Sequence, residues 1–567
     1  MLSYVIPPVC HNIHKHFKPS DNADHVVLPA PLTYCAPMPE HLPPSSTAAG
    51  LMAAGRQLLQ ANHAEMGLRL IFESCELAPS ADGWQTLYDG ALTTLNMEMM
   101  ALACERLEAL THATAEGRAH IAFLRAGPLR MAALLERLED RTVTAPQQPP
   151  IPNRILYVLH KSLPHTSDGY SLRSHGIARA YAAAGGDMVC ITRPGFPHDL
   201  PQPLEAAATS ESDGITYHHI SKPRRTAMPP APHEHLAHAS VNYLEAAAEP
   251  ILRQIAQHRP AVVMAASNHI TALPACLAAR AAGLPFIYEV RGFWDVTHAT
   301  RDPLYPTTIM GRLETLIETS LACFADKVVT LNTPMCDALV GRGVEPERIR
   351  IAPNACDTDR FAPRARDHTL ATALGLPDAV PVIGYVGSFS AYEGLDDLMV
   401  ACSGLRAQGH DFRLLLVGSE APTAAGTQPV TSQLHALASK HGLTDRLVMP
   451  GRVSPAEIPA YYSLIDIAPF PRKSTPVTEL VSPLKPLEAM AMQCAVTVSR
   501  VRALHDMVAP GRTALTFAPD APESLCDVLG KLLKDPELRR RLGQTGHTWV
   551  QTKRSWKSII NIFEDLY

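Results

Sequence analysis

The sequence predicts an α/β protein in which two doubly wound parallel sheets follow a small all-α region. Three observations predict it. From residue 154 onward, short continuous apolar runs alternate with helical segments, which is how strands buried on both faces of a parallel sheet read. The alternation starts afresh near Pro381, so there are two such sheets. Before the first of them, residues 47 to about 140 carry apolar residues at helical spacing. A chain of 567 residues at about 100–200 residues per domain leaves room for three or four domains.

Composition narrows the class. A hydrophobic fraction of 46% with 19% charged residues is a globular balance and excludes a largely disordered chain. A formal net charge of −5 gives no global attraction to nucleic acid, which is not expected as a partner. The 12 cysteines are scattered with no C-x-x-C pair, so neither a zinc cluster nor a disulfide scaffold is expected. The N-terminus lacks a basic region followed by an apolar run, and no stretch of 18 unbroken apolar residues occurs. The expected location is cytoplasmic, with at most peripheral contact at the inner face of a membrane.

The elements follow in order. Residues 1–45 are rich in proline and read as irregular or extended; the whole chain holds 50 prolines against 32 glycines. Ser45–Ser46–Thr47 reads as a helix start. Residues 46–140 read as four to six short antiparallel helices, with Leu58, Leu59, Met66, Leu70, Ile71 and Leu77 as one apolar series. The stretch from Ala61 to Trp84 is similar to a tetratricopeptide-like hairpin, although a repeat array needs several copies. Residues 141–153 (RTVTAPQQPPIPN) form a linker.

The first sheet is read from RILYVLH, DMVCITR, PAVVMAAS, PFIYEVRG, DKVVTLN and RIRIAPN, with KSLPHTSDGYSLRSHG as the loop after its first strand. The second is read from VPVIGYVGS, FRLLLVGS, RLVMPGRV, DIAPFP and AVTVS. This gives Rossmann-like domains over 154–365 and 366–552, and a C-terminal helix over 553–567 that crosses back to the first. Ligands in such sheets bind beyond the carboxyl ends of the strands, so the site is expected in the cleft between the domains.

With these segments in this order, residues 154–567 resemble a glycosyltransferase of family 4 with the GT-B fold. DGYSLRSHG, YEVRGFWD, the run from ADKVVTLN to RIRIAPNACDTDRF, GYVGSFSAYEGLDDLM and above all SPLKPLEAMAM carry the resemblance. It implies transfer of a sugar from a nucleotide-diphosphate donor with retention at the anomeric carbon, usually without a metal. It implies the acceptor in the first domain, the donor in the second, and a glycan or lipid-linked acceptor of the kind used in cell-surface polysaccharide synthesis. No cofactor is expected. The helical region is a candidate for a protein partner.

The site residues follow motif by motif. Ser482, as N-cap before Pro483, opens a helix whose first turn holds Leu484 and Lys485, a cation for the diphosphate. The resemblance makes Glu488 the acceptor of the ribose hydroxyls. The family's second glutamate should lie eight positions earlier, where this chain has Leu480; Glu479, one residue off, is the candidate to compensate. Relatives also carry two cations after the first strand of the second domain, whereas this chain has Ser388 and Glu393, and a carboxylate there would repel a diphosphate. Arg472 and Lys473 are the candidate replacements, and Gly387 would let the backbone approach the phosphates. Lys485, Arg472 and Glu479 are thus the expected catalytic residues.

In the first domain, Gly169, Tyr170, Arg173, Arg291 and Glu289 are expected at the cleft, with Gly169 in a flexible loop, His175 beside it, and a buried Glu289–Arg291 pair as the alternative. Asp357–Thr358–Asp359 matches a metal signature of another fold, but turn and capping duties explain it. Two other readings stay open: a nucleotide-sugar 2-epimerase of the same fold, and a non-catalytic scaffold with a decayed transferase domain.

Overall fold

The computed structural model describes residues 44–139, 149–202, 206–236, 238–422 and 426–564. The first sheet begins with β1 (Arg154–Leu159), buried from Ile155 onward. It continues through β2 (Asp187–Thr192), β3 (Thr209–Ser212), β4 (Ile215–His218), β5 (Val262–Ala266), β6 (Phe286–Glu289), β7 (Lys327–Thr330) and β8 (Ile349–Ile351). The strand order is β3-β4-β2-β1-β5-β6-β7-β8, and β3 is its antiparallel member.

The second sheet holds β9 (Val382–Val386), β10 (Arg413–Val417), β11 (Leu447–Gly451), β12 (Ile467–Phe470), β13 (Ala495–Ser499) and β14 (Leu515–Phe517). Its order is β11-β10-β9-β12-β13-β14, parallel throughout. In each sheet the first strand is internal, and the order in which strands are added switches from one side of it to the other, at β1/β5 and at β9/β12. Such a switch opens a crevice at the carboxyl ends of the strands.

Besides β14, a sixth strand of the second sheet that the sequence did not lead one to expect, three details depart from the expectation. The β3–β4 hairpin is an added element. Its turn, Asp213–Gly214, has both residues at positive φ (45° and 77°), as a two-residue hairpin loop requires. The strands themselves are short and half exposed, so they lack the apolar runs that mark the others. Secondly, the loop after β1 is shorter than expected. A helix already spans Gly169–Ala183, because the Asp168 side chain accepts from the Ser171 N–H and caps it. Thirdly, the helix expected to open at Ser482 opens at Lys485 and runs to Ala491, with Leu484 at the cap position.

The segment beyond Arg554 forms two short helices, Trp556–Ile559 and Asn561–Glu564. Trp556, Ile559, Ile560 and Phe563 are buried in the core of the first sheet with Tyr157, Ile177 and Tyr181. The chain thus returns to the sheet it left near residue 352.

The helical region holds helices Pro44–Gln60, Ala64–Leu77, Ala81–Thr94, Met97–Thr111, Ala115–Leu124 and Arg130–Glu139. Ser80, Asn96 and Thr114 cap three of them by accepting backbone N–H bonds. The buried stripe of the second helix runs through Leu68, Ile71 and Cys75, a spacing of three and four residues that keeps one face. Met66 and Leu77 of the expected apolar series lie off that face, 62% and 48% exposed. The first helix starts at Pro44, close to the expected Ser45–Thr47; the rest of the irregular segment 1–45 and most of the linker 141–153 lie outside the described residues.

Two compact units result. One comprises the described residues of 1–142, 225–246 and 302–324; the other those of 143–224, 247–301 and 325–567. The sequence reading gave 225–246 and 302–324 to the first Rossmann-like domain. Specific contacts explain the difference. Arg130 donates to Asn242 Oδ1 (2.7 Å), Arg130 and Arg137 both pair with Glu245, and the Phe123 and His233 rings lie 4.4 Å apart.

Truncating the anchor of the C-terminal segment tests its docking. Trp556→Ala is expected to lower stability by about 3 kcal/mol, measured by urea unfolding. A loss below about 1 kcal/mol would show that the segment is not held in this core.

Candidate active site

The carboxyl ends of the two sheets border one cavity of about 880 Å³ within the second unit. From the first sheet it is lined by the start of the Gly169–Ala183 helix, Arg291 and Asn354. From the second it is lined by Gly387, Ser388, Glu393, Arg472, residues 481–485 and Glu488.

On the first side, the strand period places Glu289 and Arg291 on the same face, two residues apart at the end of β6. Glu289 is fully buried. Its carboxylate accepts from Arg173 Nε (2.8 Å), from Arg291 Nη2 (2.8 Å) and from the Tyr157 hydroxyl on β1. Burial alone would raise its pKa, but Arg291 and Arg173 outweigh burial and hold it at about 2. Arg291 also lies over the Tyr170 ring at 4.2 Å and donates to the Tyr170 carbonyl and Ser174 Oγ, both at 2.9 Å.

This corrects the expected cleft set. Glu289 does not line the cavity; it is the anchor behind it. Arg173 borders the cavity but is 2% exposed, and its guanidinium is engaged by Glu289, the Ala352 and Pro353 carbonyls and Asn354. His175, buried against the Tyr217 hydroxyl, is also not part of the lining. Arg291 and Tyr170 reach the cavity. Gly169 reaches it too, as the first residue of a capped helix rather than in a flexible loop.

On the second side, Arg472 follows β12 and Lys485 opens the Lys485–Ala491 helix. Both grip one carboxylate, Glu393. Arg472 donates to it from Nε (3.3 Å) and Nη2 (2.9 Å), and Lys485 from Nζ (3.2 Å). Burial raises the Glu393 pKa, but Arg472 and Lys485 outweigh burial and bring it to about 2. For Lys485 burial wins and lowers the pKa, despite Glu393. The expected clash between Glu393 and an anion is therefore offset by the two cations. A side chain at Gly387, at the end of β9, would overlap Lys485, so only glycine leaves this corner open. Glu488 accepts from the Tyr462 hydroxyl (3.2 Å), and burial raises its pKa.

Three expected residues are placed otherwise. Glu479 sits in a short helix, Pro476–Leu480, accepts from Ser474 Oγ and the Arg502 N–H (both 2.7 Å), and does not border the cavity. Lys473 turns away to Asp396 and Asp397. Ser482 borders the cavity without capping a helix. Its Oγ accepts from Asn332 Nδ2 (2.6 Å) and its carbonyl from Asn354 Nδ2 (2.7 Å), which ties the 480–483 segment to the first sheet.

Sequence reasoning missed Tyr385, Tyr157 and Tyr462, whose hydroxyls meet the charged groups; as strand and helix aromatics they read as core. Asp357 Oδ1 accepts from the Asp359 and Arg360 N–H groups, the turn duty expected of it. Among the described residues no group of three or more His, Cys, Asp or Glu side chains could hold a metal, and no helix is long and apolar enough to cross a membrane.

Residues 168–355 match the profile of the glycosyl transferase 4-like domain, and 368–549 that of glycosyl transferases group 1. The chain is 26% identical over 276 residues to alpha-D-kanosaminyltransferase of Streptomyces kanamyceticus, covering 47% of this chain and 66% of that protein. It is 26% identical over 461 residues to D-inositol 3-phosphate glycosyltransferase of Acidothermus cellulolyticus, covering 76% of this chain and 94% of that one. The structure of Anabaena HepE in complex with UDP-glucose superposes with a TM-score of 0.53 at 17% identity, over 73% of this chain and 99% of that one.

The buried Glu289 cluster yields a pH test. A pKa held below its ordinary value contributes stability that is complete above the ordinary value and lost as pH falls through the lowered one. Glu289→Gln is expected to cost about 3 kcal/mol near neutral pH, since it leaves two cations without their partner. It should also flatten the fall in stability from about pH 5 to pH 2, followed by urea unfolding at stepped pH. An unchanged slope in the variant would rule out an ionised Glu289 in the native state.

Proposed function

The chain belongs to the glycosyltransferases that join a 4-like domain to a group 1 domain, and from that premise we propose that it is a retaining transferase using a nucleotide-diphosphate sugar. The sugar goes to a glycan or lipid-linked acceptor, in cell-surface polysaccharide synthesis, at the cytoplasmic side of a membrane. The single observation that supports this reading best is the meeting of Arg472 and Lys485 beside the Gly387 corner, at the carboxyl end of β9.

The donor's diphosphate would lie on that corner. As the bond to the anomeric carbon breaks, negative charge grows on the leaving diphosphate oxygen. Arg472 and Lys485 are already aimed there, and fixed donors in a water-poor site stabilise such charge without reorganising. Glu488 would accept the ribose hydroxyls. The acceptor would enter beside Tyr170 and Arg291, across the cavity. Three carboxylates line the cavity: Glu488 is taken up by the Tyr462 hydroxyl and the proposed ribose contact, while of the other two Glu393 is held by two cations and Asp168 by Lys161. Neither is free as a nucleophile, which favours departure and attack on the same face within an ion pair. UDP is the first nucleotide to try, because HepE is described in complex with UDP-glucose. The helical region would recruit a protein partner.

The first experiment is a thermal-shift screen against UDP, GDP, CDP, ADP and their sugars, followed by turnover of the donor that binds. Lys485→Ala is expected to lower turnover at least about tenfold in a folded enzyme, a cautious floor, since removing one charge-stabilising donor typically costs about 100- to 1000-fold in kcat. Turnover near wild type would remove Lys485 from the reaction. Donor consumption without any acceptor would instead favour the 2-epimerase reading.

A further inference from the structure

Glu393 stands in the loop after β9, facing the very groups that a donor diphosphate needs. Resting on the reading of that site above, we propose that Glu393 is an internal counter-ion. It holds Arg472 and Lys485 in position, and it competes with the diphosphate for them so that the nucleoside diphosphate product leaves quickly.

The backbone fixes this carboxylate. Residues Ala391–Glu393 form a tight 3-10 turn that ends at Gly394, φ 71°. A side chain at 394 would overlap the Pro471 carbonyl, so the loop after β9 lies directly on the loop after β12. The Lys473 N–H bonds the Tyr392 carbonyl (3.0 Å) between the same two loops. Glu393 is 3% exposed and held by three N–H bonds from Arg472 and Lys485, so it stays beside them when an anion arrives. The diphosphate must therefore share the cations with it.

A guanidinium has five N–H groups. In Arg472, two go to Glu393 and one to the Val481 carbonyl (2.9 Å), which leaves two for a ligand. Lys485 has three N–H groups, and its three contacts are Tyr385 (2.5 Å), Glu393 (3.2 Å) and the Ser388 carbonyl (3.4 Å). A phosphate oxygen displaces the weakest, the one to Ser388. With one carboxylate against two cations the trio carries a net charge of +1 by formal count. That attracts a diphosphate less than two bare cations would. Such moderated attraction suits an enzyme that must release a diphosphate on every cycle, because equally tight ground-state binding does not speed chemistry.

The test uses the full chain. Glu393→Gln keeps the shape and one acceptor oxygen but removes the charge. Binding of UDP, GDP, ADP and inorganic pyrophosphate is measured by calorimetry, and kcat and KM are measured with the donor that turns over. The variant is expected to bind the preferred nucleoside diphosphate at least threefold more tightly, with kcat and donor KM both lowered and product inhibition stronger. A purely structural role predicts the reverse, weaker binding with raised KM, and that result, or unchanged affinity, overturns the proposal. If Glu393→Gln does not fold, the comparison moves to Lys485→Gln. The Glu393→Gln/Lys485→Gln double variant restores the formal charge and should bind at least threefold more tightly than Lys485→Gln alone. If the wild type binds none of the four anions, the donor-site reading itself falls. If it binds them and neither comparison tightens, the counter-ion role alone falls.

Discussion

Each half of the cleft is organised around one buried, ionised carboxylate. Glu289 serves the first sheet and Glu393 the second. Each is gripped by two cations, Arg173 with Arg291 and Arg472 with Lys485. In each, a tyrosine hydroxyl from the internal first strand of the sheet joins the cluster. Tyr157 on β1 donates to Glu289, and Tyr385 on β9 accepts from Lys485. A lone carboxylate at such depth would be protonated, because desolvation disfavours its charge. Two cations reverse that, and both carboxyls sit at about 2. Removing one member of such a buried set costs about 3–5 kcal/mol, so neither sheet end can rearrange cheaply.

The position of the cavity follows from these two clusters. β1 and β9 are the strands at which the strand order of their sheets switches sides, so the tyrosines lie where each crevice opens. In each half one cation follows a strand and one stands on a helix, Arg291 with Arg173 and Arg472 with Lys485, and both reach the same carboxylate. Arg291 faces the cavity from one side, Arg472 and Lys485 from the other. The wall is therefore positive but rigid, its side chains held by partners behind it rather than by the ligand they meet. Preorganisation of this kind is what lets fixed charges act on developing charge without first being turned toward it.

How much of this was legible in the sequence depends on the range of the interaction. Most strands were legible because burial writes a short apolar run into them, whereas β14, only three residues long, was not. The β3–β4 hairpin was not, although its Asp213–Gly214 turn is a local signal, because TSES and ITYH carry no such run. Glu289 with Arg291 could be weighed as a pair, since the two-residue strand period puts both on one face. Glu393 with Arg472 could not, for they are 79 residues apart and only the pairing of β9 with β12 brings them together. Read locally, Glu393 is a repulsive charge; in place, it is the shared acceptor on which Arg472 and Lys485 converge. Glu479 and Lys473 failed for a related reason. Their residue types suit the chemistry, but a short helix and two aspartates turn them elsewhere.

The helical region raises the same issue at the scale of a domain. Composition marks it as an extension that ends at a proline-rich stretch, and its own core is built from Leu68, Ile71, Trp84, Leu87, Met100 and Leu107. Its last helix, Arg130–Glu139, however, meets residues from the middle of the chain. Arg130 and Arg137 converge on Glu245, and Phe123 lies on His233. Exposed or half-exposed ion pairs of this kind add little stability singly, but four contacts along one helix and its neighbour fix a register. Residues 225–246 and 302–324 interrupt the first Rossmann-like domain in sequence, and they complete the helical unit in space. The extension is therefore not a module added at a linker. It is a body assembled from three stretches of chain, and two of them are continuous with the domain that carries Arg291.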